Sequence, residues 1–180
     1  MSSLVLTGDT SGQVTIAAPA VAGTTTITAP AVSGTMVVLP TTPSMVRLNT
    51  DNGNGSTNTA IRRYTTTVTN QGGDITYADS ATLGASFTIN TSGIYAVSMG
   101  FATGTAGAQF GVSLDSTQLT TAFASISISS QLCEATVAAS GYVSTAATTL
   151  YLPSGSVLRP HAPVNGTSVG NSMFTIVRVA

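Results

Sequence analysis

Charge is what this sequence has least of. Its 180 residues include 5 Lys+Arg and 6 Asp+Glu, so 6% are charged and the net charge is −1. That fraction is about a quarter of the usual one. There is no lysine; the basic residues are Arg47, Arg62, Arg63, Arg159 and Arg178, never more than two in a row. Neutralising a phosphate backbone takes several clustered cations, which excludes nucleic acid as a partner. One cysteine, Cys133, cannot form an internal disulfide. Thr and Ser interrupt every apolar run well before the ~18 residues a membrane helix needs, so no membrane span is expected. The opening MSSLVLTGDTSG has neither a basic start nor a continuous apolar stretch. No secretory signal is expected there, and synthesis in a reducing cytoplasm follows.

What is present argues for a folded, self-covering protein. Hydrophobic residues make up 42% of the chain, which disfavours disorder. A compact monomer of this mass exposes roughly 8,000 Å², leaving about one charge per 700 Å². Repulsion between charges is what keeps free monomers apart. So bare a surface therefore suggests coverage by copies of the chain or by a larger assembly.

Residues 1–43 differ from the rest. Thr15–Thr24, TIAAPAVAGT, laid over Thr26–Thr35, TITAPAVSGT, matches at eight of ten positions with a period of 11. Gly12, Gly23 and Gly34 share one phase, and each precedes a β-branched stretch: Val14-Thr15-Ile16, Thr25-Thr26-Ile27, Met36-Val37-Val38. Pro19 and Pro30 recur in step, so each unit reads as a short strand, a proline and a glycine turn. Such units are stable only when stacked on neighbours. Pro40 and Pro43 then form a stiff linker. The expected organisation is an extended β-repeat arm over 1–43 and a second domain over 44–180.

The second domain reads as all-β. Phe110, Val112 and Leu114 alternate with Gly111, Ser113 and Asp115, the pattern of a half-buried strand. Tyr95, Val97, Met99 and Phe101 share one face of a strand whose other face is Ile94, Ala96, Ser98 and Gly100. Phe87 alternates with Ile89, and Leu150 with Leu152. The last strand, with Phe174 and Ile176 opposite Met173, Val177 and Val179, is expected to be buried on both faces. Ser/Thr alternation around Ile126 and Ile128 favours strand there too. Eight or more short strands separated by turn signals imply a two-sheet sandwich of the jelly-roll type.

Chemistry-bearing residues are sparse. His161 is the sole histidine, with no Cys or His near it in sequence to share a metal, and a loop or edge position is its default. Cys133 reads as a small buried thiol rather than a nucleophile, since no base lies close in sequence. Asp9, Asp51, Asp74, Asp79 and Asp115 are dispersed and fit turn-capping roles; Asp74 and Asp79 flank one strand. Asp51–Asn58, DNGNGSTN, lacks the alternating acids of a calcium loop and reads as a flexible turn. Asn54, Asn90 and Asn165 begin Asn-X-Ser/Thr triplets at about the frequency chance gives. Arg62 and Arg63 point to opposite faces of a strand, so one can reach a carboxylate while the other is solvated or pairs within an assembly. No phosphate loop, nucleophile elbow or metal cluster is present, so no catalytic, cofactor or metal residues are assigned and no enzyme is expected.

Ile61–Phe101 resembles a known family. The matching elements are Phe87-Thr88-Ile89, Gly93-Ile94-Tyr95 opening a long strand, the run Phe110–Thr121, the run Leu150–His161 and the closing Phe174–Ile176. Together they resemble the trimeric jelly-roll domains related to the complement globular head and to tumour necrosis factor, in the form found in bacteriophage structural proteins. The likeness spans most of 45–180, and the repeats resemble the Thr/Ala/Gly/Pro-rich segments that open phage fibre and capsid-associated proteins. This implies a homotrimeric knob on a virion, made in the host cytoplasm. Residues 1–43 would hold it to the major capsid protein or another virion protein, as a decoration (cement) protein of the assembled head. The alternative is a tail-fibre adhesin whose loops, such as Asp51–Asn58 and Pro163–Ser172, bind a host-surface glycan or protein.

Overall fold

The computed structural model describes residues 3–7, 13–17, 43–103, 105–163 and 172–180. The chain divides into two compact units, Met1–Val38 and Leu39–Ala180. In the first, β1 (Ser3–Thr7) and β2 (Gln13–Ala17) form an antiparallel hairpin with Leu4 opposite Ile16 and Leu6 opposite Val14. Val14–Ile16 lies in β2. The repeat strands expected at 25–27 and 36–38 lie outside the described residues.

The second unit is a jelly-roll sandwich. Its strands are β3 (Met45–Asn54), β4 (Arg62–Gln71), β5 (Ile75–Ser80), β6 (Gly84–Ile89), β7 (Gly93–Ala102), β8 (Gln109–Leu114), β9 (Gln131–Thr136), β10 (Val143–Leu152), β11 (Val157–His161) and β12 (Met173–Arg178). They form two five-stranded sheets ordered β10-β7-β12-β3-β4 and β5-β6-β11-β8-β9, with every pairing antiparallel. The two-residue period decides which side chains meet between them. Tyr95, Val97, Met99 and Phe101 point inward, as do Phe174 and Ile176 beside them, against Phe87, Ile89, Phe110 and Val112 of the other sheet. Two aromatic pairs bridge the layers: Phe87 stacks on Phe174 at 4.1 Å, and Phe101 meets Phe110 at 5.2 Å.

Several expectations are corrected. Residues 123–130 are not a strand but two 3-10 turns, Phe123–Ser125 and Ile128–Ser130. Phe123 and Ile126, three apart, are buried while Ile128 is 81% exposed, so the alternation seen in sequence is not the spacing that packs. Side-chain amides hold the turns: Gln118 accepts from Ser127 N, and Gln131 donates to the carbonyls of Phe123 and Ile126. This connection covers β8, so Gly111 and Ser113 are buried along with Phe110 and Val112 and the strand is not half-buried. Conversely, β12 is buried on one face only; Met173 and Val179 are exposed, because none of the described residues forms a second layer over that side.

Asp51–Asn58 is not a flexible turn. β3 runs through Asn54, and Asn54 and Asn58 donate to the carbonyls of Thr59 and Leu83. Gly55 sits so close to the 82–84 turn that a Cβ would lie 2.6 Å from Thr82 O. Backbone bonds from Ser56, Thr57 and Asn58 to Ala81 and Thr82 complete the lock.

Candidate functional site

The residues singled out in the sequence do not converge. Asp79 pairs with Arg63, Nη2 to Oδ2 2.8 Å, on the surface. Asp74 instead joins the start of β3 to the end of β12: it accepts from Ser44 Oγ at 2.7 Å and meets Arg178 Nη1 at 3.3 Å. Hydrogen bonds from Thr91 and Ser44, with the Arg178 charge, lower its pKa against a smaller opposing effect of burial. Asp115 accepts from Val157 N at 2.7 Å, the expected capping role. Arg62 is not solvated. It is fully buried, its Nη1 donates to Asn54 Oδ1 at 2.6 Å, and its guanidinium lies 4.9 Å from the Phe101 ring centroid. A planar, weakly hydrated cation tolerates burial on an aromatic face better than an ammonium would.

Cys133 lies on β9 opposite Val112, half-buried against the core, where burial raises its pKa and keeps it a thiol. His161 occupies neither a loop nor an edge. Its strand, β11, lies between β6 and β8, and the ring is completely buried. Nε2 lies 2.7 Å from Thr121 O and Nδ1 3.2 Å from Ser113 Oγ. A carbonyl only accepts, so the proton sits on Nε2 and Nδ1 accepts from the Ser113 hydroxyl. A serine beside a histidine suggests acyl transfer, but this pair is sealed from substrate and no carboxylate among the described residues orients the ring. Among the described residues no group of three or more His, Cys, Asp or Glu could hold a metal. Of the loops named above, residues 164–171 lie outside the described residues, and Asn165 with them.

The surface with the most distinctive chemistry is the face of the first sheet that points away from the core. Register sets Ala147, Ser98, Thr175 and Arg47 side by side across β10, β7, β12 and β3. The next row is Thr149, Ala96, Val177 and Met45; the one beyond Ser98 is Thr145, Gly100, Met173 and Asn49. Arg47 is the only charged residue in these rows. Small side chains leave a shallow depression of ≈ 400 Å³ over Ala96, Ser98, Thr149, Thr175 and Val177. Around it stand the exposed Ile94, Val143, Met173, Val179 and Tyr151, the last 64% exposed. At Gly100 a Cβ would lie 2.8 Å from Met173 Cγ, so the bare backbone lets Met173 lie flat across the sheet.

No family model matches the chain, and no curated protein matches it. Among solved structures it is similar to murine APRIL. The crystal structure at pH 8.0 is 12% identical with a TM-score of 0.46, covering 77% of this chain and 100% of that one. At pH 8.5 the values are 13% and 0.46, and at pH 5.0 they are 12% and 0.47, with the same coverage. A likeness of this depth says nothing about what the chain binds.

The outward face was half legible in advance. Alternation alone places Ile94, Ala96, Ser98 and Gly100 on the second side of β7. That Thr149, Thr175 and Met45 extend it needed the strand order, which local periodicity does not carry.

Proposed function

We propose that the chain is a non-enzymatic structural protein of a bacteriophage virion. It is a homotrimer with a jelly-roll knob over residues 44–180 and an anchoring arm over 1–43, and it decorates the assembled head. The observation that carries self-association is the outward face of the first sheet. Four strands at about 4.8 Å spacing and ten residues at about 3.3 Å make a face of about 19 by 33 Å, or about 600 Å². That is at the lower end of what one partner contributes to an interface of standard size. Its rows hold Thr, Ala, Ser and Gly with an apolar surround and one charge, a composition that packs closely without burying ions. A second copy is the occupant that suits it, because the face offers small and apolar side chains with Arg47 as its single charge, a composition that a like surface complements better than a charged partner would.

The assignment to a phage particle is supported by the family resemblance and by the repeats of residues 15–35. Three weak attachments on one trimer give strong retention, which suits stapling a shell already assembled. Light scattering of the purified chain at micromolar concentration is expected to give three times the 17.9 kDa chain mass. Trimers should bind and stabilise empty heads, and removing residues 1–40 should abolish binding while leaving trimers intact. A monomer refutes the assembly; heads fully occupied by the truncated protein refute the anchoring role. Copy number from mass spectrometry of particles separates the two virion readings: hundreds mark decoration, a few to a few dozen mark a tail fibre.

A further inference from the structure

We propose that residues 115–130 are a strap latched over the outer face of the second sheet by the His161 imidazole, and that the strap loosens when this ring takes up a second proton. The strap leaves β8 at Asp115, a non-glycine residue in the left-handed region (φ 47°). Its middle is tied to the rest of the knob by Ala60 N donating to Leu119 O at 3.1 Å and by His161 Nε2 donating to Thr121 O at 2.7 Å. Phe123 sets its ring edge-on to His161 at 5.8 Å and lies so close to Gly111 that a Cβ there would stand 2.6 Å from its Cζ. Opening the strap therefore uncovers His161, Ser113 and Gly111 together and releases Phe123 and Ile126 from burial.

The neutral ring is satisfied on both nitrogens; the imidazolium is not balanced. The groups against it are uncharged: Ser113 on β8, Thr121 and Phe123 on the strap, and Ile61 through a bridge between strands. Three charged residues stand one step away. Arg159 precedes it by two on the same face of β11, Arg62 follows Ile61, and Glu134 lies across Gly111 on β9. Among the described residues none forms an ion pair with the ring, and two of the three are cations. Burial accordingly holds the ring's pKa below its ordinary 6.5, outweighing the opposing bond to Thr121. With the strap open the ring meets water and regains its ordinary affinity for a proton. Acid thus favours the open form by up to about tenfold per pH unit between about 6.5 and the depressed value of the closed form.

Hydrogen exchange of the intact protein between pH 7.5 and 5, corrected for the intrinsic pH dependence of exchange, tests this. Exchange at Ser125, Ile126, Ser127 and Ala60 should rise by up to about tenfold per unit below pH 6.5, while β7 amides stay protected. His161→Gln keeps a donor toward Thr121 and should flatten the response. The chain has a single histidine, so the one imidazole signal in an NMR titration of the unmodified protein reports the ring directly and should titrate below 6.5. A ring titrating near 6.5, strap exchange indifferent to pH, or the same rise in the variant each overturns the proposal.

Discussion

Phe174 and Thr175 are adjacent on β12 and point to opposite sides, so substituting each separates folding from assembly. Phe174 is fully buried and stacked on Phe87 at 4.1 Å. Truncation to alanine removes a packed ring and leaves a cavity, costing about 3–5 kcal/mol. About 0.5–1.5 kcal/mol of that belongs to the aromatic pair itself. Against a typical total of about 5–15 kcal/mol, Phe174→Ala should sharply lower the midpoint of urea unfolding. Thr175 lies in the shallow depression on the outward face, flanked by Ser98 and Arg47. In a single chain an arginine there reaches solvent and costs little. In the proposed interface it brings an uncompensated charge beside Arg47, at about 3–5 kcal/mol per contact. That weakens association by roughly 10²–10⁴-fold. Light scattering and sedimentation should find Thr175→Arg monomeric at micromolar concentration, with far-UV circular dichroism unchanged. A Thr175→Arg protein that keeps the wild-type mass, with Phe174→Ala destabilised as stated, would refute the assignment of this face to self-association while leaving the fold intact.

Other consequences concern single groups. Asp74 has a lowered pKa in the folded state, so the stability it contributes is present above about 3.8 and lost as pH falls through the folded value. Asp74→Asn should flatten the acid fall of the unfolding midpoint below about pH 3.8. Cys133 is half-buried with a raised pKa, so a thiol reagent at pH 7 should label the native chain far more slowly than the urea-unfolded one. Equal rates would contradict its placement on β9. Thr50 is a β-branched residue at φ 63°, where the left-handed region costs roughly 1–2 kcal/mol. Thr50→Asn should raise the thermal midpoint by a few degrees, and a lower midpoint would show that the Thr66 contact outweighs the strain.

The sandwich was readable because its signals are local. Alternation in β7 and β6 names the inward residues without knowledge of what they meet. The errors come from covering by distant segments. Nothing near Gly111 in sequence announces that Phe123 will lie on it, and nothing near His161 announces the Thr121 carbonyl. Arg62 misled for the same reason: its burial depends on Asn54 and Phe101, which belong to other strands.

Two of these errors have opposite sign, and the contrast bears on function. β8 carries apolar residues on one face only, yet the fold covers both, because the strap supplies a second layer from within the chain. β12 carries apolar residues on both faces, yet the described residues of a single chain cover one. A strand with more apolar surface than its own fold buries is poorly matched to life as a monomer, above all when so few charges remain to keep copies apart. The unmatched side of β12 is continuous with Ala96, Ser98 and Thr149, and it is the same surface into which Thr175→Arg places its charge. If that substitution leaves association untouched, Met173, Val177 and Val179 need another explanation. If it yields folded monomers, the second apolar face of β12 is accounted for by a neighbouring copy.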